Sequence, residues 1–360
     1  MPHPLRYIEG LDPGKFITEE YELRTVPEGL PKVPFLAGII GSRGAGKTTA
    51  MINLIRSYQR PGIAPAWDHL IIFSPTAKKD PKYKALEEQL STKDTKVELI
   101  EDFTVSKFLE YLKYMDAETK SYETKKLAVT AYQKFKEKNM DIDKLKEEEL
   151  LALYAYDFEP EGKTRNMYKH GRPSFCMVFD DLVGEKLVYS TTGTNWVSKF
   201  ALRHRHYNCT MLFLSQSWNS GIPRQIRHNL SLCVLFRVVS PQLKKDVASE
   251  MSSFISEQEF IELWDEATLN LHDYFLIDFS APPELKFRKN LDHVFANIKS
   301  LPQTNFPDTC NKDKEDKDTG KPEKEPEAKH ESKRRRTRAD GVICKTGPGS
   351  IRQREILRGL

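Results

Sequence analysis

The chain has little that would cross-link it or take it out of water. No stretch approaches the ~18 consecutive apolar residues that a membrane-crossing helix needs, so no membrane span is expected. Met1 to Gly10 lacks a cationic start followed by an apolar core, so no secretory signal is expected. Cysteine is sparse: Cys176, Cys209, Cys233, Cys310 and Cys344 stand without CxxC spacing. Neither a zinc site nor a disulfide framework is therefore expected, and the simplest reading is buried, reduced thiols in an intracellular protein. An excess of one charge is missing too. Fifty-six Lys and Arg against 52 Asp and Glu leave +4, which does not by itself point to nucleic acid. No internal repeat is found.

What is present suits one sizeable α/β core with appendages in a soluble protein: 360 residues, 39% hydrophobic and 30% charged. Residues 1–34 are polar and proline-punctuated and read as an N-terminal arm. Residues 35–302 read as the folded domain. Short apolar runs at Phe35–Ile40, His69–Phe73, Val97–Ile100, Ser174–Phe179, Cys209–Leu214, Ser231–Val238 and Tyr274–Ile277 read as strands. Helical spacing follows the first of them at Lys47–Tyr58 and recurs at 194–202, Pro241–Met251 and Glu257–Ala267. Runs buried on both faces and alternating with helices predict a mostly parallel central sheet flanked by helices, with the first, fourth and fifth runs near its centre. Residues 105–155 mix Lys, Glu and Tyr with Leu at helical spacing. Three helices are expected there, as an insertion or lid, or as packed helices with no part in catalysis. Residues 303–360 are read as a disordered charged tail, because 308–340 hold too little apolar surface to fold.

Gly41-Ser42-Arg43-Gly44-Ala45-Gly46-Lys47-Thr48, followed by Thr49, fits G-x-x-x-x-G-K-[ST] between a buried strand and a helix. Glycines let backbone N–H groups curl round phosphates without a Cβ in the way, and the following helix presents its positive end to the anion. Lys47 would reach the β- and γ-phosphates, and the Thr48 hydroxyl would ligate Mg²⁺, so MgATP is the expected ligand. Asp180 and Asp181 end an apolar run. Beside a phosphate loop they read as a magnesium-holding acid and a water-activating acid; alone they would read as a strand end with a solvated turn. Gln216, just past Cys209–Leu214, can contact the γ-phosphate or the attacking water, or simply cap a strand. Arg203-His204-Arg205-His206 can supply an arginine finger to a neighbouring subunit, form a solvated face or contact DNA. No [NT]KxD motif follows a later strand, which argues against a GTPase. A small-molecule kinase would leave Gln216 and the arginines unexplained.

GSRGAGKTT, SFCMVFDD, RHRHYNCTMLFLSQ and IPRQIRHN, in that order and spacing, resemble the FtsK/HerA superfamily, and within it the poxvirus-type DNA-packaging ATPases of large DNA viruses. The resemblance covers about residues 33–280. It implies a P-loop NTPase working as a homo-oligomeric ring that drives double-stranded DNA into a preformed capsid, with capsid or portal proteins as partners. It implies Lys47 and Thr48 as phosphate-loop residues, Asp180 as the magnesium acid, Asp181 as the catalytic base, Gln216 as the sensor and Arg205 as the finger, with Arg203 close beside it. Arg227 and Asn229 match a basic element expected near the subunit interface. The superfamily's second acid is often glutamate, so Asp181 is one methylene short. A nucleotide-binding scaffold without turnover, and a cellular HerA-like DNA-processing translocase, remain open beside this reading. The expected location is the host cytoplasm at the assembly site, or the virion. The basic cluster 333–338 in the tail would add DNA affinity, direct nuclear import, or remain solvated.

Overall fold

The computed structural model describes residues 24–59, 63–92, 94–137, 142–155, 170–182, 195–252, 255–295 and 298. The charged tail and its cluster 333–338 lie outside them, as do Cys310 and Cys344.

Nine strands form one sheet among the described residues: β1 (Leu36–Ile40), β2 (His69–Phe73), β3 (Lys96–Ile100), β4 (Phe175–Asp180), β5 (Cys209–Ser215), β6 (Leu232–Phe236), β7 (Tyr274–Asp278), β8 (Phe287–Lys289) and β9 (His293–Val294). Their order is β3-β2-β4-β5-β1-β6-β7-β8-β9. The first six run parallel, and β7 to β9 add an antiparallel margin. The runs expected at the centre are there, as β4, β5 and β1. Each is buried along its whole length, as a strand covered on both faces must be.

Alternation along these strands makes two cores. Phe175, Met177 and Phe179 of β4 and Met211 and Phe213 of β5 face one side; Cys176, Val178, Leu212 and Leu214 face the other. On the first face Phe73, Phe179 and Phe213 stack across three strands, with centroids 5.3 and 4.8 Å apart. Burying each ring stabilises the fold by roughly 1.5–3 kcal/mol. Helices α1 (Lys47–Ser57) and α2 (Pro81–Leu90) cover the second face with Met51, Ile55, Tyr83 and Leu86. Residues 24–34 pack on that same side. Val33 joins its core, and Arg24 is buried against Asp68 and the carbonyls of Pro65 and Arg172.

Residues 105–155 differ from expectation. In place of three helices, the described residues hold one long helix, α3 (Val105–Glu137), a 3₁₀ turn at Ile142–Lys144, and α4 (Glu147–Ala155). No Gly or Pro interrupts 105–137, so nothing breaks the 33-residue helix. Phe108, Leu112 and Met115 anchor its start to the sheet. Farther along, Ala131 packs with Leu145 and Leu153 in a small separate cluster. Neither α3 nor any other helix among the described residues is long and apolar enough to cross a membrane.

The remaining α-helices among the described residues are α5 (Trp196–Ala201), α6 (Arg224–Arg227), α7 (Pro241–Met251) and α8 (Glu257–Ala267). Ser240 caps α7 with proline at its first turn, and Ser256 caps α8 by accepting from the Glu259 amide.

Candidate nucleotide site

The ends of β1, β4 and β5 meet at one edge of the sheet. Ile40 lies beside Ser215, and Asp180 beside Leu214. Everything C-terminal to these residues starts from that edge, where open parallel sheets bind their ligands.

The phosphate loop leaves β1 there, and the Gly41 amide donates to the Ser215 carbonyl at 3.2 Å. A Cβ on Gly41 would lie 2.7 Å from Phe236 Cβ, so this turn needs glycine. Gly46 enters α1 at φ 108, and no side chain caps the helix. The first amides of such a helix can bind an anion. Lys47 Nζ reaches back to the carbonyls of Gly41 (2.8 Å) and Ser42 (3.0 Å), across the hollow of the loop. Burial holds its pKa below the usual lysine value, while Asp180 and Asp181 push it back up.

Thr48 Oγ1 donates to Asp180 Oδ2 at 3.4 Å. This contact joins residues 132 apart in the chain. The loop and the strand-end acid, read together from the sequence, lie side by side in the fold. This is a P-loop NTPase fold. Two oxygens at this separation suit neighbouring corners of an octahedral Mg²⁺ shell, whose edge is about 3 Å. Among the described residues no group of three or more His, Cys, Asp or Glu forms a metal cage by itself.

Asp180 is 8% exposed, and burial raises its pKa, countered first by the hydrogen bond from Tyr83. That phenol, from α2, donates to Asp180 Oδ2 and is itself fully buried. Sequence reading missed Tyr83 because it missed α2, although Asp80-Pro81 carried a cap-and-first-turn signal. Asp181, one residue on, is exposed at φ 53, a left-handed conformation unusual outside glycine. Its Oδ1 accepts from Gln216 Nε2 at 3.3 Å. Asp181 and Gln216 therefore touch at the tips of adjacent strands of the P-loop domain. In the loop itself Ser42, Arg43, Gly44 and Thr49 are exposed; Ala45 and Gly46 are half-buried.

Arg205 is not brought to this edge. With Arg203 it is exposed near a 3₁₀ turn (His204–Tyr207) just before β5, at the opposite end of the sheet. The seven residues of β5 put roughly 20 Å between them and Gln216. His204 between them is a structural prop. Its ring is buried against the Cys209 carbonyl at 2.7 Å, and burial lowers its pKa to about 4.

Arg227, expected near a subunit interface, is 6% exposed and turned inward. It grips Glu250 of α7 through Nε and Nη2, both at 2.8 Å, and donates from Nη1 to the Trp218, Asn219 and Ile222 carbonyls. Trp218 Nε1 donates to the same Glu250 at 3.0 Å. The network fastens the turn just beyond Gln216 to the body of the fold. Asn229 is exposed and bonds the Gln225 carbonyl.

An open cleft of about 520 Å³ runs along the start of α1. Lys82, which donates to Thr49 Oγ1 at 3.1 Å, borders it from α2; His272 and Tyr274 border it from the start of β7.

No protein-family model and no curated protein sequence matches this chain. Among solved structures, it is similar to the genome-packaging NTPase B204 from Sulfolobus turreted icosahedral virus 2 in complex with AMP, at 12% identity over 71% of this chain and 96% of that one, TM-score 0.40. B204 described as the DNA-packaging ATPase from Sulfolobus turreted icosahedral virus aligns at 12% identity over 72% and 98%, TM-score 0.41. The cytoplasmic domain of the Thermomonospora curvata type VII secretion ATPase EccC aligns at 14% over 76% and 29%, TM-score 0.37.

Proposed function

We propose that this chain is an ATP-hydrolysing motor of the FtsK/HerA kind that moves double-stranded DNA, packaging a viral genome into a preformed capsid. The observation that carries the enzymatic part is the convergence of Thr48, Asp180, Asp181 and Gln216 at one strand edge, beside a loop spanned by Lys47. The motor and its cargo are inferred from the sequence motifs, which resemble those of packaging ATPases.

Each residue has one task in this scheme. Lys47 leaves the Gly41 and Ser42 carbonyls to meet the β- and γ-phosphates. Thr48 and Asp180 hold Mg²⁺, and Tyr83 keeps the Asp180 carboxylate oriented. Mg²⁺ held there would supply positive charge against the phosphate oxygens. Asp181 accepts a proton from the attacking water. Gln216, bonded to Asp181, orients that acid and senses the γ-phosphate. The products are ADP and phosphate.

Arg205 lies too far from its own site to neutralise this charge, but a head-to-tail neighbour can present it there. A ring then follows from the chemistry, since a lone subunit lacks the finger. The cargo is duplex DNA, the ring partners are capsid or portal proteins, and the place of action is the assembly site in the host cytoplasm or the virion. The cluster 333–338 adds salt-sensitive DNA affinity or directs nuclear import.

The test is phosphate release per subunit, measured against protein concentration and added duplex DNA. The rate is expected to rise with both. A rate indifferent to both would remove the motor.

A further inference from the structure

The chemistry above uses only one side of the phosphate loop. In the sheet order β4-β5-β1-β6-β7, Asp180 and Gln216 stand on the β4–β5 side of the loop, at the tips of those strands. A nucleotide whose γ-phosphate points to them must run its nucleoside away from them, toward β6 and β7. The cleft continues there, and the side chains it meets are His272, in the loop before β7, and Tyr274, the first residue of β7.

We propose that His272 and Tyr274 form the base-facing end of the nucleotide site, with the His272 ring as a stacking platform. This rests on the reading of the cleft as a nucleotide site and names the part of it that reads the nucleoside.

His272 is held where such a platform is needed. Its Nδ1 lies 3.0 Å from the Ala45 carbonyl of the phosphate loop, joining residues 227 apart. A Cβ on Gly46 would come within 3.2 Å of the same nitrogen, so ring and loop are in close contact. His272 adopts φ 71, a conformation that non-glycine residues take mainly where their surroundings impose it. The imposition is visible next door. Asp273 accepts from Asn270 (3.0 Å) and Asn290 (2.9 Å) and pairs with Lys289 (2.8 Å). The Asn290 side chain also accepts from the Tyr274 amide at 3.1 Å. Tyr274 itself is buried with its ring against Phe236, 5.4 Å between centroids. An exposed loop is thus pinned on its C-terminal side, and an exposed imidazole is set over the entrance to the cleft.

Stacking on a flat ring favours any base and reads none closely, so purine discrimination should be weak. A histidine that only propped the phosphate loop would act on all phosphate ligands alike. A platform would act on the nucleoside alone. That difference gives the test.

Binding of ATP and of inorganic tripolyphosphate, each with Mg²⁺, is measured on the full chain by calorimetry, for the wild type, His272→Asn and His272→Gly. Both replacements accept the left-handed backbone, and Asn keeps a donor for the Ala45 carbonyl. The expected result is a loss of about tenfold in ATP affinity in both variants, the size of one lost base–aromatic stack, with tripolyphosphate affinity unchanged in His272→Asn. Unchanged ATP affinity in both variants, or an equal loss for both ligands in His272→Asn, would overturn the platform. So would a wild type that binds ATP no more tightly than tripolyphosphate. Failure of the wild type to bind either ligand would overturn the nucleotide site itself, and this inference with it.

Discussion

Asp181→Asn is expected to slow ATP hydrolysis by about 10²- to 10⁴-fold while leaving nucleotide affinity nearly unchanged. The range is what a positioned general base contributes when it takes a proton in the transition state. Asparagine keeps the size and the contact with Gln216, and it tolerates the left-handed backbone at φ 53. It loses only the capacity to accept the proton. The variant therefore separates an engine from a scaffold. A protein that binds nucleotide merely to stabilise an assembly would show no turnover before or after the change. Parallel measurements of phosphate release and equilibrium ATP binding give the answer, and a fall in rate below threefold would remove Asp181 from the chemistry.

Lys47→Ala should act on both binding and rate. Its ammonium spans the loop, held by the Gly41 and Ser42 carbonyls and drawn by the charges of Asp180 and Asp181. In the proposed scheme, nucleotide binding exchanges those two weak acceptors for phosphate oxygens that gain negative charge as the γ-phosphoryl departs. Removing one such preorganised donor costs about 10²- to 10³-fold in turnover. Because the ammonium also meets the ground-state phosphates, ATP affinity should weaken too, which distinguishes this variant from Asp181→Asn. The measurement is a saturation curve of hydrolysis rate against MgATP. An unchanged curve would mean that the lysine points elsewhere in the working protein.

Sequence alone carried much of this because the relevant signals are short and local. β1, β4 and β5 are continuous apolar runs, which few arrangements other than a doubly covered parallel sheet can bury. The bounds of α7 and α8 agree with expectation to the residue, since Ser240-Pro241 and Ser256 mark their starts. α2 was missed because its apolar residues are few, Tyr83, Leu86 and Leu90 among lysines and glutamates. β8 and β9 were missed because they are two or three residues long and owe their existence to pairing on β7. Within the site, the loop Gly41–Thr48 and the pair Asp180-Asp181 could be read from their motifs. Tyr83 and His272 could not: they reach Asp180 and Ala45 across 97 and 227 residues, and only the folded chain brings them together. Arg227 shows the converse. A motif match placed it in a basic element near the subunit interface, and only the folded chain shows that five of its hydrogen bonds are internal.

In the proposed engine Thr48 and Asp180 share one ion beneath a bound triphosphate. Equilibrium ATP binding with Mg²⁺ and with the ion chelated, for the wild type and for Thr48→Ala, addresses this most directly. The wild type should bind ATP at least about tenfold more tightly with Mg²⁺, as a charge-assisted contact worth 1.5–3 kcal/mol would give, and Thr48→Ala should lose most of that difference. Equal affinities with and without the ion in the wild type would contradict it.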